Sequence, residues 1–163
     1  MVEPDLVVAE IIAEFTGLDA DRVVLTNQKF SKPTDKGAFV TVDLGPAQII
    51  GVNQDFDPDT DTQISSAALQ AQCNIEVTSY DETAKRLRHE IVMSFTSAAG
   101  QRKQEDNQIR IFRTSEILDL SGVDGAKSLY RYQIPVRINY VEIKETVIEP
   151  IDKFPTTEVL INE

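Results

Sequence analysis

One cysteine, one histidine and no long apolar run limit what this 163-residue chain can be. A lone Cys73 forms no disulfide within the chain and no all-cysteine metal site. A lone His89 excludes multi-histidine zinc and di-iron centres. No stretch approaches the ~18 consecutive apolar residues of a membrane-crossing helix, so no membrane partner is expected. The first residues, Met1-Val2-Glu3-Pro4-Asp5, lack a basic n-region, so no secretory signal is expected. Bases are scarce too: 16 Lys and Arg against 27 Asp and Glu leave a formal charge of −11. That excess repels phosphate backbones and excludes a general nucleic-acid binder. The length fits one domain, and 41% apolar residues suffice for a core in a reducing compartment.

The charge is unevenly spread. Residues 1–21 carry Glu3, Asp5, Glu10, Glu14, Asp19 and Asp21 with no base. Residues 55–61 hold Asp55, Asp57, Asp59 and Asp61. Between 85 and 113 the sign reverses: Lys85, Arg86, Arg88, Arg102, Lys103, Arg110 and Arg113 face only Glu90, Glu105 and Asp106. Such polarity suits head-to-tail contacts between copies or a docked partner; the plainer alternative is a solvated mixed surface.

Val8, Ile11, Ile12 and Phe15 make one apolar stripe behind Pro4, which predicts a helix over 4–16 stopped by Gly17. Val23 to Leu25 reads as a short strand or a lead into a loop, and 27–37 as a loop. Phe39 to Leu44 reads as a strand, Gly45-Pro46 as a turn, and Gln48 to Gln54 as the returning strand. Asp55 to Thr62 reads as an acidic loop. Strict alternation from Leu69 to Thr78 predicts a strand wet on one face. Ala84, Leu87, Ile91 and Phe95 predict a helix over 81–95, capped by Ser79 or Asp81, with 100–107 a polar connector or a ragged extension of the helix. Ile109 to Phe112 and Tyr130 to Tyr140 read as further strands. Pro135 hints at an edge or bulge, and the apolar phase flips at Val141 and Ile143, which predicts a bulge or two-sided burial. The expected fold is α+β, a mostly antiparallel sheet flanked by about two helices over 1–145. Residues 146–163, interrupted by Pro150 and Pro155, read as an extended C-terminal arm.

No catalytic constellation emerges. His89 has no orienting partner in the sequence, so a surface imidazole is the plain reading. Cys73 falls on the apolar side of its strand, which favours packing over reactivity. The alternating aspartates resemble a calcium loop, yet Thr60 or Thr62 stands where glycine is needed and Ser66 or Ala68 where glutamate is needed. Gly122-Val123-Asp124-Gly125 lacks the Lys-Ser/Thr of a phosphate loop and reads as tight turns. No catalytic residue, metal or cofactor is assigned.

The order of these pieces resembles the tail (or neck) terminator proteins of tailed bacteriophages. The resemblance covers roughly residues 3–145. It rests on the acidic first helix, Asn27-Gln28, Lys32-Pro33, Phe39-Val40-Thr41-Val42 and the strand-to-helix run 69–95. Asp119-Leu120-Ser121-Gly122, Asp124-Gly125, Tyr130-Arg131-Tyr132 and Arg137-Ile138-Asn139-Tyr140 complete it. The family often has tyrosine at the Phe39 position and tryptophan near the last strand, where this chain offers Leu129-Tyr130 and no tryptophan. The resemblance implies a non-enzymatic virion protein of the tail and neck, assembled in the host cytoplasm. It would form a homo-hexameric ring that ends the tail tube, bind the tail tube and head–tail connector proteins, and pass DNA without gripping it. Arg102, Lys103, Arg110 and Arg113 are then expected at an inter-subunit or partner contact, and Asp55, Asp57, Asp59 and Asp61 on a lumen-facing loop. The alternatives are another head-completion or tail-tube morphogenesis protein, a small adaptor, or a cytosolic α+β enzyme of unrecognised mechanism.

Overall fold

Three long strands carry the architecture. In a computed structural model, which describes residues 3–26, 35, 37–124 and 127–148, β2 (Phe39–Asp57) and β3 (Thr62–Ser79) form a hairpin, and β7 (Lys127–Val147) pairs antiparallel along the whole of β3. β1 (Val23–Leu25) lies parallel to β2, and β4 (Ile109–Arg113) antiparallel to β7, giving the order β1-β2-β3-β7-β4. The short β5 (Leu118–Asp119) and β6 (Gly122–Asp124) also pair with β7. The class is the expected α+β.

Alternation decides which face is buried. Val40, Val42, Cys73, Ile75, Val77, Tyr132, Ile134, Val136 and Ile138 share one face and are almost wholly buried. Three helices cover that face, where about two were expected: α1 (Pro4–Thr16), α2 (Thr83–Thr96) and α3 (Ala98–Asp106). Thr41, Asp43, Gln72, Asn74, Glu76, Arg131, Gln133, Arg137 and Asn139 lie on the opposite face, which no helix covers among the described residues.

Local chemistry sets the helix ends. Pro4 opens α1, and Gly17, at φ 71°, closes it with its N–H on the Ala13 carbonyl. The stripe shifts from its expected position: Val7 is buried, whereas Phe15 in the last turn is 42% exposed. Phe15 lines a groove with Ile11, Ser97 and Gly100, so it lies against the α2–α3 elbow rather than the sheet. Both expected caps of α2 are used. The Ser79 hydroxyl accepts from the Ala84 N–H at 3.0 Å, and an Asp81 carboxylate oxygen from the Thr83 N–H at 2.9 Å. The connector expected at 100–107 is α3. Ser97 caps it by accepting the Gly100 N–H at 3.0 Å, and a Cβ on Gly100 would collide with the Ser94 carbonyl.

Two readings of the strands are corrected. Gly45-Pro46 is not a turn. β2 passes through it with register shifts between Leu44 and Ala47 and again between Ile49 and Gly51. These bulges absorb the proline and glycine without reversing the chain. The reversal comes at 58–61, so Asp55 and Asp57 stand in β2 and only Asp59 and Asp61 lie in the turn. The second correction concerns β7, which runs in unbroken register past Val141 and Ile143 with neither a bulge nor burial there. Pro135 is tolerated in this inner strand because its carbonyl accepts from both the Thr114 N–H and hydroxyl. A residue's nitrogen and carbonyl share one side of a strand. The missing donor of Pro135 therefore faces the gap between β4 and β5, where no ladder bond is due. The strand continues through Thr146 and Val147, two residues past the expected start of the arm; the rest of that arm, from 149, lies outside the described residues, as does Gly125.

Candidate assembly surface

Beyond the helices the three long strands continue as a bare tongue. It comprises the distal part of β2 from Ile49, β3 from Thr62 to about Leu69, and β7 from Tyr140 to Val147, all in continuous pairing. Ile49 is 66% exposed, Val52 68%, Phe56 50% and Ile143 55%. Seven of the fourteen exposed large apolar side chains of the described residues sit on the tongue, Ile49, Ile50, Val52, Phe56, Val141, Ile143 and Val147, and Ile148 follows directly. An open groove of about 670 Å³ runs along it, lined in part by Val52, Ala67, Gln108, Val141 and Ile143. The exposed apolar side chains fall on both faces, with Ile49, Val52 and Phe56 on the helix side of the sheet and Val141, Ile143 and Val147 on the other, and exposed apolar surface concentrated in one element suits a binding surface.

The tongue is also acidic. Asp57 organises the tip: one carboxylate oxygen accepts from the Asp59 N–H at 3.0 Å and the other from the Thr60 hydroxyl at 2.9 Å. These bonds, the Thr60 hydroxyl first, hold the Asp57 carboxyl below its ordinary pKa. Asp61 sits at φ 48°, a left-handed turn position that aspartate tolerates. Asp55 and Asp57 pair with Ile64 and Thr62, on the face opposite the helices. Among the described residues no three carboxylate, thiol or imidazole groups converge in a metal-binding cluster.

The structure separates the four expected basic contact residues. Lys103 Nζ lies 2.9 Å from Glu10 and 3.7 Å from Glu14, tying α3 to α1, and the Glu10 hydrogen bond chiefly raises its pKa. Arg102 is exposed on α3. Arg110 and Arg113 are exposed on β4, the edge strand, with Arg110 4.0 Å from Glu105. The sheet brings a residue the sequence reading passed over to the same flank: Arg137, opposite Phe112 in register, whose guanidinium lies 5.7 Å from that ring. Its signal is the polar phase of the 130–140 alternation. Two more cations cover aromatic rings nearer α2, Lys85 over Tyr130 at 4.7 Å and Arg88 over Tyr132 at 4.4 Å.

Cys73 and His89 both stand as the sequence reading has them, one packed and one on the surface. Cys73 is fully buried, and burial pushes its thiol up to about 12. His89 is exposed, with Nε2 accepting from Arg88 Nε at 3.2 Å. No helix among the described residues is long and apolar enough to cross a membrane.

The sequence reading therefore missed the tongue as a unit. Its available signal was the persistence of strand pairing residues beyond the last helix-facing position, Tyr140. The geometry offers surfaces for assembly, with a projecting acidic, apolar blade at one end and a basic edge strand on the flank. Comparison with known proteins agrees with an assembly role. No curated protein matches the sequence. Residues 7–163, nearly the whole chain, match the family described as phage neck terminator protein, and the chain belongs to that family.

Proposed function

We propose that this member of the phage neck terminator family acts by forming a homo-hexameric ring between head and tail. The ring ends the tail tube, docks it on the head connector, and leaves a channel for DNA. The family match over residues 7–163 carries the reading. The distribution of charge supports its detail. A conduit for a polyanion works best when its wall does not bind phosphate, and the tongue supplies Asp55, Asp57, Asp59 and Asp61 without a base between 43 and 69. We place those aspartates toward the lumen. The α3–β4 flank beside the base of the tongue supplies Arg102, Arg110 and Arg113 for contacts with a neighbouring copy or with the tube and connector proteins. Lys103 serves that surface indirectly, by holding α3 against α1. No step of bond making or breaking is involved, so the protein works as a virion part and not as an enzyme.

Antibody labelling of intact virions by electron microscopy tests the reading. Label confined to the junction of head and tail is expected. Label on the capsid wall, along the tube or at the tail tip contradicts it.

A further inference from the structure

The tongue has two open edges, and they differ. β2 pairs with β1 only from Val40 to Val42, so its outer edge has no strand partner beyond that among the described residues. β7 pairs with β4 only as far as Tyr140, so its edge from Val141 to Val147 is open in the same sense. Open edges are templates for strand addition, and folds usually blunt them with proline, bulges or charge. Here proline and bulges occur only toward the base of the tongue, at Pro46 and the two register shifts, and the distal edges carry charge alone, Asp55 and Asp57 on β2 and Glu142, Lys144 and Glu145 on β7. The distal stretch Val52–Asp57 is in regular register with no proline, as is Val141–Val147.

We infer that the β2 edge of one copy, at Val52–Asp57, pairs with the β7 edge of the next, at Val141–Val147. This deepens the ring reading and rests on it. The two unlike edges themselves select a second copy as the occupant. Each chain carries one edge of each kind, so a head-to-tail contact uses both and leaves none open once a ring closes. The β7 edge also carries Lys144, the only base among residues 43–69 and 139–148, between Glu142 and Glu145 and level with Gln54 through their shared partner Ser65. Apolar side chains border both edges but on opposite faces of the sheet, Val52 and Phe56 on the helix side of β2 and Val141, Ile143 and Val147 on the other side of β7. Strand direction then follows. β2 and β7 both run from body to tip, so neighbours related by rotation, with tongues pointing the same way, meet as parallel strands. Three strands from each of six copies fall in the ~16–18-strand class of closed sheet that encloses an aqueous channel.

Cysteine cross-linking of the full chain tests this cleanly, because Cys73 is buried. Two double variants are made, Gln54→Cys with Lys144→Cys and Phe56→Cys with Thr146→Cys, together with each single variant. Within one chain these pairs flank β3, two strand spacings or about 9.5 Å apart, beyond the ~7 Å reach of a disulfide. A covalent ladder in at least one double variant, with none of the single variants cross-linking, is expected. Rings seen by electron microscopy in both double variants without a ladder overturn the edge pairing and leave the ring reading standing. Cross-linking of any single variant also overturns it, since that joins like edges. A ladder of open chains that never closes supports the edge pairing and overturns the ring. Absence of both rings and ladder overturns both.

Discussion

The Ile148 N–H donates a 2.9 Å hydrogen bond to the Asp61 carbonyl, fastening the end of β7 to the turn that joins β2 and β3. The tip is thus tied across all three strands. Beyond the strand ladders little else holds the tongue, because past Leu69 and Tyr140 its residues leave the helix-covered core. Amides of β3 in the tongue, such as Ser65 to Ala68, are expected to exchange with solvent faster than those of Cys73 to Val77, which lie under the helices. Hydrogen exchange of the unassembled chain measures this. Equal protection in both halves of β3 contradicts it.

Gly100 packs where the α2–α3 elbow leaves no space for a Cβ, because the Ser94 carbonyl fills it and Ser94 is fully buried. Gly100→Ala is expected to lower stability by about 1–3 kcal/mol, the usual cost of overpacking. The urea midpoint should fall with an unchanged slope.

Gln104 joins three elements through one buried amide. Its nitrogen donates to the Phe95 carbonyl at 2.8 Å and the Gly100 carbonyl at 3.2 Å, and its oxygen accepts from the Ile111 N–H at 3.0 Å. Gln104→Leu keeps the volume and strands those backbone groups, at a cost of about 1–3 kcal/mol. Thermal melting of the variant measures the loss, and faster exchange of the β4 amides locates it.

Cys73 titrates differently in the two states. Its folded pKa of about 12 exceeds the ordinary value of 9.0 because burial disfavours the thiolate. The stabilisation from keeping it neutral is complete below about pH 9 and is lost as pH rises from there toward about 12. Relative to Cys73→Ala, the wild-type chain should lose up to about 1.4 kcal/mol per pH unit in that window. Denaturant titrations of both proteins at pH 8 and pH 10 give the difference. The folded wild type should also resist thiol reagents at pH 8.

Much of the body was legible in the sequence for a simple reason. A strand or helix covered on one face must alternate, so Leu69 to Val77 and Ala84 to Phe95 announced both their type and their buried side. The tongue was hard to read because that constraint disappears once neither face is covered. Val141 and Ile143 then followed no buried phase. Gly45-Pro46 misled for a related reason: as a dipeptide it is a turn signal, and only pairing with β3 on the other side of the chain shows that it sits in a bulge. Phe15 shows a third limit, since periodicity gave its side of the helix and not the elbow that receives it. The basic residues were visible as a run along the chain, but α3 and β4 distribute them, and Lys103 answers Glu10 and Glu14 of the first helix, far from it in sequence order.

A cryo-electron microscopy reconstruction of the virion neck tests the central claim most directly. The account predicts a closed ring of this chain at the junction of head and tail, with tongues side by side around the channel and Asp55 to Asp61 toward the lumen. Density for the chain elsewhere in the particle, or a ring whose tongues splay outward from a basic channel, contradicts it.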